Sequence, residues 1–361
     1  MAQRIGLVFG GRSVEHKVSV VSARTVDAAL ASAGFTVVPL GIAQSGAWVA
    51  PPEGRRALDG ELDELGDRDA GGRSVVASLG HLVDAQVDVV FPIAHGTWGE
   101  DGTLQGLCEM LDLPYVGTGV ASSAVCMDKL LSKQVLAASG LPVVDFEAVD
   151  RRGYAADPLG VARRVERLGW PLFVKPAIGG SSVGVRKVSA PSELEAALEH
   201  GLRFDDRLVV EKAIAGRELE CAVLGYGELV ASGIGEIVPG NDFYDYADKY
   251  LDDGAELIHA AELDPGVEDE LRRLAIESFD AVGGWGMARV DFLLDEAGPA
   301  INEINTLPGF TSISMYPKLW QRAGVAPPEL VTRLVEIAER RHADRRRLDD
   351  GIKDWIAQLG G

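Results

Sequence analysis

Two short runs, Arg289-Val-Asp291 and Glu303-Ile-Asn305, restrict this chain more than any other feature. Each lies in an apolar stretch of strand character, 289–294 and 300–305, with a short polar break between them. Val290, Phe292, Ile301 and Ile304 make both strands read as buried, and a buried acid demands a partner. Residues two apart on a strand share a face, so Glu303 and Asn305 look at one point, with Asp291 on the paired strand. Two carboxylates and an amide oxygen are hard ligands suited to Mg²⁺, with phosphate oxygens and water filling the remaining positions. The plain alternative is a solvated hairpin face.

The 361 residues suffice for two or three domains. A net charge of −20 argues against a nucleic-acid partner, since phosphate backbones are bound by positive surfaces. The basic cluster at 340–347 reads as a solvated helix end. Any anionic substrate must then be held by a few placed cations. Three scattered cysteines, Cys108, Cys126 and Cys221, form no Cys-x-x-Cys pair, which fits a reducing cytoplasm and excludes a disulfide framework or a zinc site. No run approaches the ~20 apolar residues of a membrane span, and the start, passing from Met1-Ala2-Gln3-Arg4 straight into 5–9, is too short for a signal peptide.

The opening reads as strand (5–9), glycine turn and helix, with Ser13 as N-cap, followed by a second strand at 35–40. The 44–75 stretch, rich in Gly, Pro, Asp and Arg and poor in periodicity, reads as loop or insertion. A buried strand at 87–93 and a helix at 102–110 complete an alternation that implies a parallel sheet flanked by helices. A helix at 129–139 leads into strands at 171–175, 184–188 and 208–212 with a helix at 192–199. Beyond these come a strand at 218–224, a helix at 268–282 and the hairpin.

Between two of the central strands runs Lys175-Pro-Ala-Ile-Gly-Gly-Ser-Ser-Val-Gly184. A lysine at a strand end followed by glycines and hydroxyls suits a loop covering phosphates, because backbone amides approach closely and the lysine supplies point charge. It is not a Walker A loop, which ends in Gly-Lys-Ser/Thr before a helix. Gly180-Ser-Ser-Val-Gly184 matches the nucleophile elbow of hydrolases, but a strand rather than a helix follows, and neither His200, His259 nor His342 stands in a context that makes it a partner. An ordinary glycine hairpin remains the alternative. Glu211, Lys212 and Ile214 at a strand end, with Glu218 beyond, form an edge able to read adenine and ribose, or merely surface charge. The polar run 243–250, with Tyr244, Tyr246 and Tyr250, reads as a lid or as a packed surface loop.

Taken in order, these pieces resemble the D-alanine–D-alanine ligases of the ATP-grasp superfamily over nearly the whole chain. The resemblance rests on Gly10-Gly-Arg-Ser-Val-Glu-His-Lys-Val-Ser19, His95-Gly-Thr-Trp-Gly-Glu-Asp-Gly-Thr103, Met127-Asp-Lys129, the glycine/serine loop and Asn302-Glu-Ile-Asn-Thr-Leu-Pro-Gly-Phe-Thr-Ser312. It implies a combined α/β and α+β architecture: an open parallel α/β domain over 1–120, a central α+β subdomain over 121–213, and a C-terminal α+β subdomain over 214–361 with metal site and lid. It further implies that Lys129, Lys175 and Lys249 contact ATP, that Glu211, Lys212 and Ile214 line the adenine pocket, and that Glu218 holds the ribose. Asp291, Glu303 and Asn305 would bind two Mg²⁺ ions, for which Mn²⁺ can substitute. Glu15 would hold the first D-alanine, linked to Ser181 and Tyr250; Arg289 and the Gly309 amide would face the reacting carbonyl, and His95, Ser314 and Met315 would contact substrate. The implied product is D-alanyl-D-alanine, made through a D-alanyl phosphate for peptidoglycan precursors, by a cytoplasmic homodimer with no membrane or nucleic-acid partner. Met315 departs from the leucine often found there, and no charged residue stands at 177–180, leaving backbone contacts to phosphate. The rivals are a D-alanine–D-lactate ligase, which Tyr250 disfavours, and a non-catalytic ATP sensor, which the intact lysine and carboxylate set disfavours.

Overall fold

The structure, a computed structural model, describes residues 2–238 and 256–359. The expected lid residues, Lys249 and Tyr250 among them, lie outside the described residues.

Strands β1 (Arg4–Gly10), β2 (Thr36–Ile42) and β3 (Val89–Pro92) form a parallel sheet in the order β2-β1-β3. Parallel neighbours need a crossover, and the helix His16–Ser32 supplies the first. It buries Val20, Ala23, Val26 and Leu30, a face at helical spacing, against β1 and β3. The helix Pro327–Leu359 returns to the same core with Leu330, Val331, Leu334, Val335 and Ala338. The first turns of this last helix are therefore packed into the first domain, while 345–359 are exposed.

Two local expectations change. Ser13 is not the N-cap: the helix begins at His16, and the Ser13 hydroxyl donates to His95 O at 2.6 Å while accepting the Glu15 N–H at 3.2 Å. The 44–75 stretch is not all loop, because Pro51–Leu58 is a helix with proline in its first turn and Ala57 and Leu58 buried. Eight residues holding two prolines and a glycine are too few to display a period. Its continuation is tied back to the first helix: Leu65 N–H donates to His16 Nε2 at 2.9 Å, and His16 Nδ1 bonds Gly11 O at 2.7 Å.

The second sheet is antiparallel, from β4 (Phe146–Asp150), β5 (Leu172–Pro176), β6 (Arg186–Val188) and β7 (Arg207–Lys212), in the order β4-β7-β5-β6. Its inner face, Val149, Leu172, Val174, Val188, Leu208 and Val210, packs on the helices Pro158–Val165 and Leu194–Gly201. The third sheet, also antiparallel, comprises β8 (Arg217–Tyr226), β9 (Glu228–Val238), β10 (Glu256–Ile258), β11 (Gly286–Asp295) and β12 (Gly298–Asn305), ordered β10-β9-β8-β11-β12. Helix Pro265–Ala281 covers it with Leu271, Leu274 and Phe279, and Cys126 and Leu136 enter the same core from Val120–Met127 and Lys129–Ala138. Asp128 caps the second of these by accepting from Leu130 N and Leu131 N. That cap places Lys129 at the junction of the second and third sheets, since its own N–H bonds Ala177 O at 2.8 Å.

Candidate active site

Two adjoining cavities open where the three sheets meet. The smaller, about 130 Å³, is walled by Lys129, Lys175, Glu218, Arg289, Asp291 and Glu303. The larger, about 790 Å³, reaches from Lys129, Arg289 and Glu303 to Glu15, His95 and Ser314.

The loop after β5 roofs the smaller cavity. Ser181 and Ser182 both take left-handed backbone, at φ 50° and 57°, which is uncommon away from glycine. β5 and β6 pair antiparallel around the loop, and no helix follows, so the hydrolase elbow is excluded. Lys129 Nζ donates to Gly179 O at 2.6 Å and lies 3.7 Å from Glu303. Lys175 Nζ is 2.6 Å from Glu211 Oε2, and the other oxygen of that carboxylate is 3.0 Å from Lys133 Nζ. Burial would raise the Glu211 carboxyl, but the two ammonium groups outweigh it and hold it down at about 2.

On the opposite wall β11 and β12 set Asp291 directly against Glu303 and Arg289 against Asn305, with a bulge after Asp291. Arg289 forms a bidentate pair with Asp291 at 2.7 and 2.6 Å, and its Nε is also 3.0 Å from Glu220. Burial opposes the guanidinium's charge, yet Asp291 and Glu220 hold its pKa well above the ordinary arginine value. Asn305 Oδ1 accepts the Leu307 N–H at 3.1 Å. Among the described residues no three His, Cys, Asp or Glu side chains converge as a metal site. The hairpin instead offers two carboxylates and one amide, hard oxygens that fit a divalent cation whose remaining ligands are phosphate and water.

At the far end Ser181 Oγ donates to Glu15 Oε1 at 2.6 Å, joining the first domain to the roof loop. Glycines on both sides let Glu15 fit: a Cβ at Gly96 or at Gly180 would each stand 2.8 Å from Glu15 Oε2. His95 is buried; its Nδ1 is 3.0 Å from Leu307 O and its Nε2 3.1 Å from Ser22 Oγ. A carbonyl only accepts, so Nδ1 carries the hydrogen and Nε2 takes the serine's. The same Ser22 Oγ accepts the Phe310 N–H at 3.3 Å, so His95 and Ser22 together fix the segment bearing Gly309. Ser314 accepts from Thr311 N at 3.0 Å, and Met315 is buried, its sulfur packed on the Gly235 backbone at the cavity edge.

Of the sequence-derived residues, Lys175, Glu218 and Asp291 wall the smaller cavity and Glu15, His95, Asn305, Gly309, Ser314 and Met315 the larger, with Lys129, Ser181, Arg289 and Glu303 in both. Lys212 and Ile214 lie at the β7 end, outside these walls. Three residues escaped the sequence reading. Lys133 stands four after Lys129 on one helix, a same-face spacing. Glu220 stands two after Glu218 on β8, again one face. Glu100, inside the His95–Thr103 motif, accepts the Gly96 N–H at 2.7 Å; burial, then neighbouring Glu15, push it up to about 8.

Two antiparallel sheets closing on one cleft, with Lys175 entering from the smaller, Lys129 from the helix between them and the acids from the larger, are the arrangement of the ATP-grasp enzymes. Residues 4–118 match the D-ala D-ala ligase N-terminus family and residues 135–336 the D-ala D-ala ligase C-terminus family. The D-alanine–D-alanine ligase of Halothermothrix orenii is 45% identical over 338 residues, covering 93% of this chain and 98% of that one. Among solved structures, the D-alanine-D-alanine ligase from Coxiella burnetii superposes with a TM-score of 0.81 at 36% identity, over 100% of this chain and 99% of its own. The VanG D-Ala:D-Ser ligase from Enterococcus faecalis does so at 0.80 and 33%, over 94% and 100%. The chain belongs to the D-alanine–D-alanine ligase family.

Proposed function

We propose that the chain condenses two D-alanines to D-alanyl-D-alanine, converting ATP to ADP and phosphate, as a step toward peptidoglycan precursors. The observation that carries this reading is the pair of adjoining cavities that share Lys129, Ser181, Arg289 and Glu303 and run from the lysine-lined roof to the Glu15–Ser181 pair. It has room for a nucleotide phosphate at one end and a small amino acid at the other. Glu15 takes the ammonium of the first D-alanine, leaving that molecule's carboxylate toward Arg289. A carboxylate does not accept an amine directly, so one of its oxygens attacks the terminal phosphorus of ATP; the bond to ADP breaks and an acyl phosphate forms. Lys129 and Lys175 stabilise the phosphoryl charge. Glu218 holds ribose, while Glu211, Lys212 and Ile214 bound the adenine side.

The second D-alanine, oriented through its carboxylate by Ser314 with Met315 as apolar wall, attacks the acyl carbon with its neutral amine. Arg289 and the Gly309 N–H stabilise the tetrahedral oxyanion; the C–O bond to phosphate breaks, the nitrogen gives up one proton to the departing phosphate, and the amide remains. His95 serves this step by holding the 307–310 segment. Asp291, Glu303 and Asn305 would hold two Mg²⁺ ions, or Mn²⁺, which when bound supply Lewis-acid charge to the phosphates. The family resemblance assigns Lys249 to ATP and Tyr250 to the Glu15–Ser181 link, and the acyl phosphate must be kept from water, which would hydrolyse it. The proposal extends to a cytoplasmic homodimer, as the family resemblance implies; no helix among the described residues is long and apolar enough to cross a membrane.

The test is phosphate release from ATP and Mg²⁺ with D-alanine, L-alanine, or D-alanine plus D-lactate, with products identified by mass. Release with D-alanine and a dipeptide product is the expected result. ATP binding without release for any amino acid would leave the nucleotide-sensor reading standing instead.

A further inference from the structure

Glu211 is shared, and that has an electrostatic meaning. Its carboxylate is buried between Lys133 and Lys175, at 3.0 and 2.6 Å, with the Lys133 and Glu211 side chains only 2% and 3% exposed. Lys175 is the more exposed lysine, at 14%, and it alone of the three walls the smaller cavity. One carboxylate against one lysine is neutral, and a lysine so neutralised offers an incoming phosphate little net charge. Burial draws the Lys133 pKa down from its ordinary value while the Glu211 carboxylate opposes that shift; with both lysines protonated, one carboxylate against two ammonium groups carries a net charge of +1. The second ammonium is withdrawn from solvent, so the surplus is presented where Lys175 enters the cavity. Lys133 also reaches Asn302 O at 3.4 Å, the residue before Glu303 on β12. A single side chain thus spans the Lys129–Ala138 helix, β7 and β12.

We propose that Lys133 is a positioning residue for nucleotide binding: it neutralises Glu211 so that the charge of Lys175 remains available to the ATP phosphates. This rests on the reading of Lys175 as a phosphate contact. Lys133 lines neither cavity and acts through Glu211 and Lys175. Without it, Glu211 retains Lys175 as its sole counter-ion and draws it away from the nucleotide.

The test compares Lys133→Met, Lys175→Met and the Lys133→Met/Lys175→Met pair by steady-state kinetics with ATP and D-alanine varied separately, alongside thermal unfolding. Lys133→Met is expected to raise KM for ATP about tenfold, leave KM for D-alanine within about twofold, and add little to Lys175→Met in the double variant. A merely structural lysine would instead lower Tm and kcat together at unchanged KM for ATP, and that result would overturn the proposal. So would a double variant whose effects simply multiply, because independent sites are additive in free energy. If Lys175→Met itself leaves KM for ATP unchanged, the phosphate role of Lys175 fails first, which separates the two ideas. If Lys133→Met does not fold, Lys133→Arg, which keeps the charge, is assayed instead. Near-wild-type KM for ATP is then expected, and a tenfold rise would count against a charge-based role.

Discussion

Gly180→Ala tests how closely the roof loop fixes Glu15. The new Cβ would stand 2.8 Å from Glu15 Oε2, against an ordinary contact of 3.4 Å or more. Something must yield by roughly half an ångström, and Glu15 Oε1 is already held at 2.6 Å by the neighbouring Ser181 hydroxyl. The carboxylate therefore cannot retreat without stretching or losing that bond. Because the clash is with the tip of a flexible side chain, the folding cost is small. The substrate-binding cost is not: if a misplacement of ~1 Å costs ~100-fold, half that displacement implies a loss of about tenfold in kcat/KM for D-alanine. KM for ATP should barely move. The assay is coupled ADP release with each substrate varied, next to a melting curve. Gly106→Ala is the control: in the helix Thr103–Met110 its Cβ meets open space, so activity should hold while stability rises by about 0.5–1 kcal/mol. A Gly180→Ala enzyme with kcat/KM within about twofold of wild type would refute the idea that the Glu15–loop contact sets substrate placement.

Two further outcomes follow from the buried acids. Glu211→Gln strands Lys133 and Lys175 without their shared counter-charge and should destabilise the fold by roughly 3–5 kcal/mol in urea denaturation; a loss below about 1 kcal/mol would mean the lysines find other partners. Since Glu211 is held down, its contribution is present above the ordinary value of 4.5 and disappears as pH falls toward about 2. Glu100 has the opposite sign. Its carboxyl is raised from 4.5 to about 8, so the stability it contributes is present below 4.5 and is lost as pH rises through about 8. Glu100→Gln should flatten the fall in Tm across that window, and a curve parallel to wild type would show that Glu100 ionises without cost.

The hairpin at 286–305 was legible because period-two alternation puts Glu303 and Asn305 on one face and Asp291 on the paired strand; the register of Asp291 against Glu303 was not, since a bulge after Asp291 interrupts the alternation. The parallel first sheet was legible for the same reason, its helix and strand runs being long enough to show their periods. What escaped was short or shared. The Pro51–Leu58 helix has fewer than three turns, and the His16–Leu65 bond joins residues whose pairing no local pattern encodes. Lys133 and Glu220 lay on faces already identified, yet an isolated lysine or glutamate reads as solvated until a buried partner is seen. Glu211 was assigned to the adenine edge from its strand-end position, and only the fold reveals that its side chain turns to two lysines.

No sheet owns the cleft: Glu15 comes from the turn after β1, Lys175 from the second sheet and Arg289 from the third. The first and third sheets share one apolar core, whereas the second packs on its own helices and meets the first domain at the cleft through polar contacts such as Ser181–Glu15, so heat can loosen it before the rest. A nucleotide and amino acid bridging all three would act as mortar, making their melting a joint event. In calorimetry this would appear as a sharper single transition rather than only a later one. An inhibitor filling just one end would be expected to delay melting without sharpening it. The width of the transition would then report how many of the cleft's walls a ligand touches.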